Sequence, residues 1–253
     1  MDYSQFTSFE YLDKIREILK EVEEKEKQNI INSVECLANV IYFNSSIYIF
    51  GASHAGILSQ EAFYRAGGLA NINPIFAPEV SVERSPITVT SKMERLEGYG
   101  TIIASTVDFK RGDALIVHSV SGRNPVTIEV AEQAKKKGVY VIGITNLKYS
   151  KQVKSRHSSG KKMYELCDYV IDNHGDIGDA CISLEPYPQK ASPTSTVVGA
   201  TIMNILFSET LKALARNGHF TELPVFASAN MDGGDEFNKE IFKTYENVIH
   251  YKH

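Results

Sequence analysis

Residues 114–146 read ALIVHSVSGRNPVTIEVAEQAKKKGVYVIGITN, and the fold turns on that stretch. An apolar run at 114–119 (ALIVHS) leads into Ser121-Gly122, a natural strand exit. Asn124-Pro125 suits the cap and first turn of a helix, which continues over 126–137 and stops at Gly138. A second apolar run, 139–145 (VYVIGIT), follows. Two short, fully apolar strands joined by a helix of about a dozen residues describe parallel neighbours in a sheet covered on both faces.

The same texture continues on either side. Residues 46–50 (SIYIF) form a strand ending at Gly51, and a helical stretch follows from about residue 55 to 66. Residues 73–77 (NPIFA) form a second strand and 168–171 (DYVI) a fifth. Residues 10–44 read as helix, with Ile15, Ile18, Leu19 and Val22 on one stripe and EVEEKEK as a solvated face. A long helical stretch runs from Thr194 to about Arg216, and a Gly/Asp turn at 228–236 precedes a last helix. With no repeat and no linker, the parse is one domain over 1–253. Helices occupy 1–45, the α/β core 46–217, and a turn and helix 218–253.

Composition narrows the function classes. Apolar residues make up 43% and charged residues 23%, which excludes long disorder. A net charge of −4 argues against holding nucleic acid or acidic membrane by bulk charge. A small anion in a local pocket is still compatible. Cys36, Cys167 and Cys181 form no C-x-x-C pair and read as reduced thiols. The start carries no apolar leader, and the most apolar runs, such as 139–144, are too short to span a bilayer. The expectation is a cytoplasmic chain with neither a membrane nor a nucleic-acid partner.

Three segments carry candidate chemistry. Gly51-Ala52-Ser53-His54-Ala55-Gly56 is a small-residue turn between strand and helix, suited to presenting amides to an anion. It is not the G-x-G-x-x-G of a nicotinamide dehydrogenase. Ser119, Ser121, Gly122, Arg123 and Asn124 gather two hydroxyls and several free amides at one strand end, a cradle for a phosphate or sulfonate. Thr194, Ser195 and Thr196 open the late helix with more hydroxyls than one cap needs. His174, Asp176 and Asp179 in DNHGDIGDA invite a metal reading, but Gly-rich Asp turns explain them. No metal and no cofactor is expected.

Residues 114–146, with Gly51-Ala52-Ser53-His54 and Pro193-Thr194-Ser195-Thr196, resemble the ligand-facing segments of the sugar isomerase (SIS) domain family over roughly 30–215. EAFYRAGG, SRHSSGKKMY, IDNHGDIGDA and SANMDGGDEFN are similar to a subgroup of short SIS proteins of phosphoheptose isomerase-like type. The resemblance implies an α/β three-layer sandwich with a five-stranded parallel sheet of flavodoxin-like order. It also implies a sugar phosphate ligand and a homodimer or tetramer with the site near the interface. Ser119, Ser121 and Thr196 match the family's phosphate-binding hydroxyls, with Thr194 and Ser195 beside them, while Gly122 and Asn124 match its turn. The first segment departs from the family's G-x-G-H-S: its hydroxyl either moves two positions earlier, to Ser53, or is absent.

The implied reaction is aldose–ketose isomerisation through an enediol, which needs a base beside two adjacent carbons. Glu61 lies seven residues after His54, on nearly the same helical face, and these two are the expected catalytic pair. His157 lies in the basic loop 148–162 beside Arg156, Lys161 and Lys162, a loop able to close over a sugar. Glu79, Glu94 and Glu97 stand in reserve as bases; His118 reads as structural. A non-catalytic phosphosugar-binding regulatory protein and a SIS-type lyase are the alternatives. Seven acids against five bases between Glu10 and Lys27 weigh against a DNA-reading segment there.

Overall fold

Every second residue of a strand leaves the sheet on the same side, and here both sides are apolar. The computed structural model describes residues 8–218 and 222–251. Ile47 and Ile49 of β1 (Ile47–Gly51), Ala114 and Ile116 of β3 (Ala114–His118), and Ile142 and Ile144 of β4 (Tyr140–Thr145) turn to one face. Tyr48, Phe50, Leu115, Val117 and Val141 turn to the other. The first face is covered by α1 (Glu10–Lys25), α2 (Lys27–Tyr42), α3 (Ile57–Ala62) and α8 (Ser195–Asn217). The second is covered by α5 (Tyr99–Ser105) and α6 (Pro125–Lys136). With β2 (Ile72–Pro74) and β5 (Tyr169–Asp172), the sheet has five strands in the order β2-β1-β3-β4-β5, every pair parallel. This is the three-layer α/β architecture expected from the sequence.

Several boundaries differ from the sequence reading. The leading helices, read as one helical stretch over 10–44, part at Glu26, whose φ of −99° and ψ of 3° are not helical. The helix expected at 55–66 is a 3₁₀ turn, Ser53–Gly56, followed by the six residues of α3. The polar stretch 148–162 begins inside α7 (Leu147–Gln152). An antiparallel hairpin, β6 (Ala180–Leu184) and β7 (Tyr187–Pro193), was not anticipated. Its residues are largely exposed, so no buried stripe marked them. Helix α8 is long and apolar enough by length and composition to cross a membrane, yet Val198, Ile202, Leu206 and Leu214 are buried in the first core layer.

The short edge strand β2 is protected by the C-terminal segment, as exposed edges must be. Helix α4 (Thr88–Met93) follows β2, and α9 (Gly234–Thr244) opens the segment that returns to it. Phe226, Ile241, Tyr245, Val248 and Ile249 pack on Ala70. The Asn73 amide donates to the carbonyls of Ile47 (3.1 Å) and Val248 (2.8 Å), and its oxygen accepts from the His250 N–H (2.7 Å). The hydroxyl of Tyr251 reaches the Ala70 carbonyl at 2.6 Å.

His118 is wholly buried at the end of the central strand. Its Nδ1 faces the Ala55 carbonyl at 3.2 Å, which requires the proton there, and its Nε2 has no partner among the described residues. Burial pushes its pKa below 6.5, against the Ala55 carbonyl and Asp179. The folded protein therefore favours neutral imidazole, while the unfolded chain takes up a proton as pH falls through about 6.5. Stability should fall below that pH by up to about 1.4 kcal/mol per pH unit for this group. Urea titrations at pH 7.5 and 5.5 test this: the midpoint drops in the native protein, and His118→Asn shows a smaller drop.

Candidate functional site

The chain leaves β1 towards β2 on one side and returns to β3 on the other, so a crevice opens at the carboxyl ends of β1 and β3. Gly51 and His118 are paired across it. A Cβ on Gly51 would overlap the Ala55 carbonyl, so the tight 3₁₀ turn depends on that glycine. Ser53 sits in that turn at φ 56°, a left-handed conformation unusual for a residue with a side chain. Next to it, Gly51, Ser53, Ser59, Ala77 and Ser81 line a small cavity, in which the buried Ser59 hydroxyl has no partner among the described residues. A cleft of about 690 Å³ lined by Gln60, Phe76, Glu79, Glu83 and Arg84 adjoins it.

The turn after β3 is held by its carbonyls. Thr145 donates its hydroxyl to the carbonyls of Ser119 (2.6 Å) and Val120 (3.1 Å), and the Asn146 N–H also reaches Val120 (3.1 Å). The Gly122 carbonyl accepts from Met163 N–H and that of Arg123 from Arg156 N–H, each at 2.9 Å. Gly122 is left-handed, at φ 58°, and a Cβ there would meet the Ser150 hydroxyl at 3.1 Å. Its N–H donates to the Ser119 hydroxyl at 3.2 Å. Among the described residues, the N–H groups of Ser121, Arg123 and Asn124 and the hydroxyl of Ser121 have no partner. The turn thus offers several donors at the N-terminus of α6, an arrangement that binds anions.

The Asn124 side chain does not cap its own helix. Its amide donates to Glu94 Oε2 at 2.5 Å and its oxygen accepts from the Arg156 guanidinium at 2.9 Å. The main-chain carbonyl of Glu94 also accepts from Val126 N–H at 3.3 Å, fixing this carboxylate beside the α6 N-terminus. Burial raises the pKa of Glu94 above the usual 4.5, against the Asn124 hydrogen bond and the charges of Arg95, Arg156 and His54. A carboxyl group desolvated in this way at a strand-end crevice has the character of a general base. The sequence reading held Glu94 only in reserve and grouped Arg156 with the other cations of a loop able to close over a sugar. Their contacts to Asn124 span 30 and 32 residues, which no local pattern signals.

The other expected site residues have prior engagements. His54 is exposed in the 3₁₀ turn, and its charge acts on Glu94 rather than meeting Glu61 on a shared helical face. The 3₁₀ geometry, three residues to a turn, breaks the i,i+7 alignment. Glu61 is paired with Arg65 one turn on. His157 lies 3.5 Å from Glu129, which itself caps α5 by accepting from the N–H groups of Gly98 and Thr101. Its other ring nitrogen meets the Ser159 hydroxyl at 2.7 Å. Loop 153–162 is therefore latched to α5 and α6, and Glu97 adds to the latch through Ser158. Glu79 is paired with Arg84 at 2.6 Å.

At the start of α8, the expected hydroxyls serve a carboxylate of the chain itself. Asp179 accepts from Ser195 N–H (2.8 Å), Ser195 hydroxyl (2.6 Å), Thr194 N–H (3.1 Å) and Thr194 hydroxyl (3.3 Å). An acidic side chain at a helix N-terminus is favoured by the dipole, so the position is already filled. The Thr196 side chain is left partly exposed, its hydroxyl with no partner among the described residues. Asp176 pairs with Lys190 at 2.7 Å and His174 with Glu26 at 2.9 Å, so the acid-and-histidine run disperses to different partners. Among the described residues no group of three or more His, Cys, Asp or Glu is placed to hold a metal.

Comparison with known proteins gives the lineage. Residues 10–146 match the family described as SIS domain. A UPF0309 protein of Shouchella clausii is 47% identical over 242 residues, covering 96% of this chain and 98% of the relative. One from Oceanobacillus iheyensis is 48% identical over the same coverage. Among solved structures, a phosphoheptose isomerase from Neisseria gonorrhoeae aligns at a TM-score of 0.51 and 14% identity, covering 81% of this chain and 95% of its own. That of Francisella tularensis aligns at 0.50 and 12%, covering 79% and 94%. At such identities the likeness is one of fold. The relatives and the matched segment agree with the strand-end turn, and the chain belongs to the SIS domain family.

Proposed function

We propose that the protein binds a phosphorylated sugar and interconverts its aldose and ketose forms. The observation that carries this reading is the juxtaposition of unpaired donors at 119–124 with the desolvated carboxyl of Glu94, joined through Asn124. The phosphate rests on the amides of Ser121, Arg123 and Asn124 and the hydroxyls of Ser119 and Ser121, with Ser53 and Thr196 at its margins. Neutral donors and the α6 dipole hold it whatever the net charge of the chain.

With the sugar chain open, the Glu94 carboxylate takes the proton from C2 of the aldose. The C–H electron pair becomes the C1=C2 bond of the enediol, and the carbonyl oxygen at C1 gains a proton. Returning the first proton to C1 while the hydroxyl at C2 gives up its own yields the ketose. His54, exposed and within the field of Glu94, is suited to the proton transfers of ring opening. The SIS membership and the phosphoheptose isomerase fold are consistent with this chemistry.

Incubation in D2O with a panel of pentose, hexose and heptose phosphates, followed by NMR, tests the reaction. Deuterium should enter C1 or C2 of at least one sugar; binding with no exchange on any would leave a ligand-binding protein and remove the catalysis. Glu94→Gln should slow exchange by at least about 10²-fold with binding retained. Ser121→Ala should weaken binding about ten-fold, roughly 1.4 kcal/mol, with little change in the rate of the bound complex.

The raised pKa of Glu94 has a double signature. Exchange should rise with pH through a midpoint above 4.5, as the base ionises. Stability runs the other way: the folded state favours neutral Glu94, so its contribution is full below 4.5 and lost as pH rises through the folded pKa. Glu94→Gln should therefore raise the melting temperature at pH 7, a gain that shrinks as pH falls towards 4.5.

A further inference from the structure

Three guanidinium groups gather beside the 119–124 turn, and the hydroxyl-and-amide cradle has no need of them. Arg123 belongs to the turn itself. Arg156 is brought to it twice, by its N–H on the Arg123 carbonyl and by its guanidinium on Asn124, each at 2.9 Å. Arg95 directly follows Glu94, whose main chain is fixed to Val126. Burial, and then the like charges of Arg123 and Arg95, lower the pKa of Arg156. Glu94 and Tyr149 are the groups that oppose this.

None of the three arginines forms an ion pair among the described residues, whereas Arg16, Arg65 and Arg84 each hold a carboxylate. The Nε of Arg123 is buried without a partner among the described residues, a costly position for a donor that water no longer reaches. Glu94 is the carboxylate whose charge opposes the like charges of Arg123 and Arg95 on Arg156. Guanidinium forks of this kind fit a carboxylate or phosphate through paired N–H donors. Asn124 separates the groups: its main chain faces the cradle, while its side chain joins Glu94 to Arg156. Arg95 and Arg156 act on Glu94, and Arg123 acts on Arg156, so the cluster reaches the Glu94 side, where the carbon skeleton of a bound sugar would lie.

We infer that Arg95, Arg123 and Arg156 form a second anion subsite, and that the ligand is a phosphosugar bearing a second acidic group, a carboxylate or another phosphate, away from the cradled phosphate. This rests on the phosphosugar reading of the cradle. The side chain of Arg123 serves the second subsite, and its main-chain amide serves the first. A ligand with one acidic group leaves the arginine cluster uncompensated; one with two neutralises it.

Calorimetric titration at low salt with matched probes tests the inference: fructose 6-phosphate against fructose 1,6-bisphosphate, and glucose 6-phosphate against 6-phosphogluconate. The doubly acidic member of at least one pair should bind ten-fold or more tightly, and the pair showing the gain identifies the group preferred. The double variant Arg95→Gln, Arg156→Gln alters two exposed side chains, and its fold is checked by its melting curve. It should cut affinity for the doubly acidic probe at least ten-fold and for the monophosphate less than three-fold. Equal binding within both pairs overturns the second subsite and leaves the cradle standing. Equal losses for both probes in the variant also overturn it, because the arginines would then serve the cradled phosphate. Ser121→Ala, which should weaken both members of a pair alike, reports on the cradle itself; no binding by any probe overturns the phosphosugar reading together with the subsite.

Discussion

A peptide group has two ends, and in the turn after β3 the acceptor ends of Ser119, Val120, Gly122 and Arg123 are tied down. Thr145, Asn146, Met163 and Arg156 all donate to carbonyls of this turn, from β4 or from segments that follow it. With those oxygens committed, the N–H groups of Ser121, Arg123 and Asn124 are left without a partner among the described residues. The surplus of donors on which the proposed anion site rests follows from that asymmetry more than from any single side chain. It also explains why the site needs the rest of the fold. Thr145 and Asn146 are positioned by the register of β4 on β3, which depends in turn on two apolar layers closing over the sheet.

The parts of the protein legible in the sequence are those governed by local periodicity. Continuous apolar runs at β1, β3 and β4 announced a doubly covered parallel sheet, and Asn124-Pro125 marked the start of α6. The parts that were not legible depend on contacts between distant segments. The Asp179 carboxylate satisfies Thr194 and Ser195, so three hydroxyls that looked available reduce to Thr196. His157 looked like a mobile loop histidine because its partner, Glu129, lies in a helix whose pattern says only that it has a polar position. Glu94 was one charged residue among several in MERLEGYG until Asn124 and the α6 N-terminus singled it out. The pairing of His54 with Glu61 failed for a different reason. A 3₁₀ turn replaced the α-helical start, and spacing arguments hold only for the helix type they assume.

Several groups in and beneath the site are held at a cost. Ser53 adopts a left-handed backbone, His118 buries an unsatisfied nitrogen, and Ser59 and Arg123 bury donors without acceptors. Glu94 is desolvated among groups that only partly compensate it. These features concentrate at the carboxyl ends of β1 and β3, while the two apolar layers carry the stability. A site built this way is poised for a ligand that satisfies what the protein leaves open.

The hairpin of β6 and β7 leaves the core at Asp179 and returns at Thr194, and the two points are clasped by one carboxylate. That clasp makes the hairpin a closed detour. The position and direction of α8 are fixed at its base, whatever the length or sequence of its tip. Evolution can therefore rewrite the exposed ribbon, for a new neighbour or a new surface charge, without moving the helix that backs the sheet.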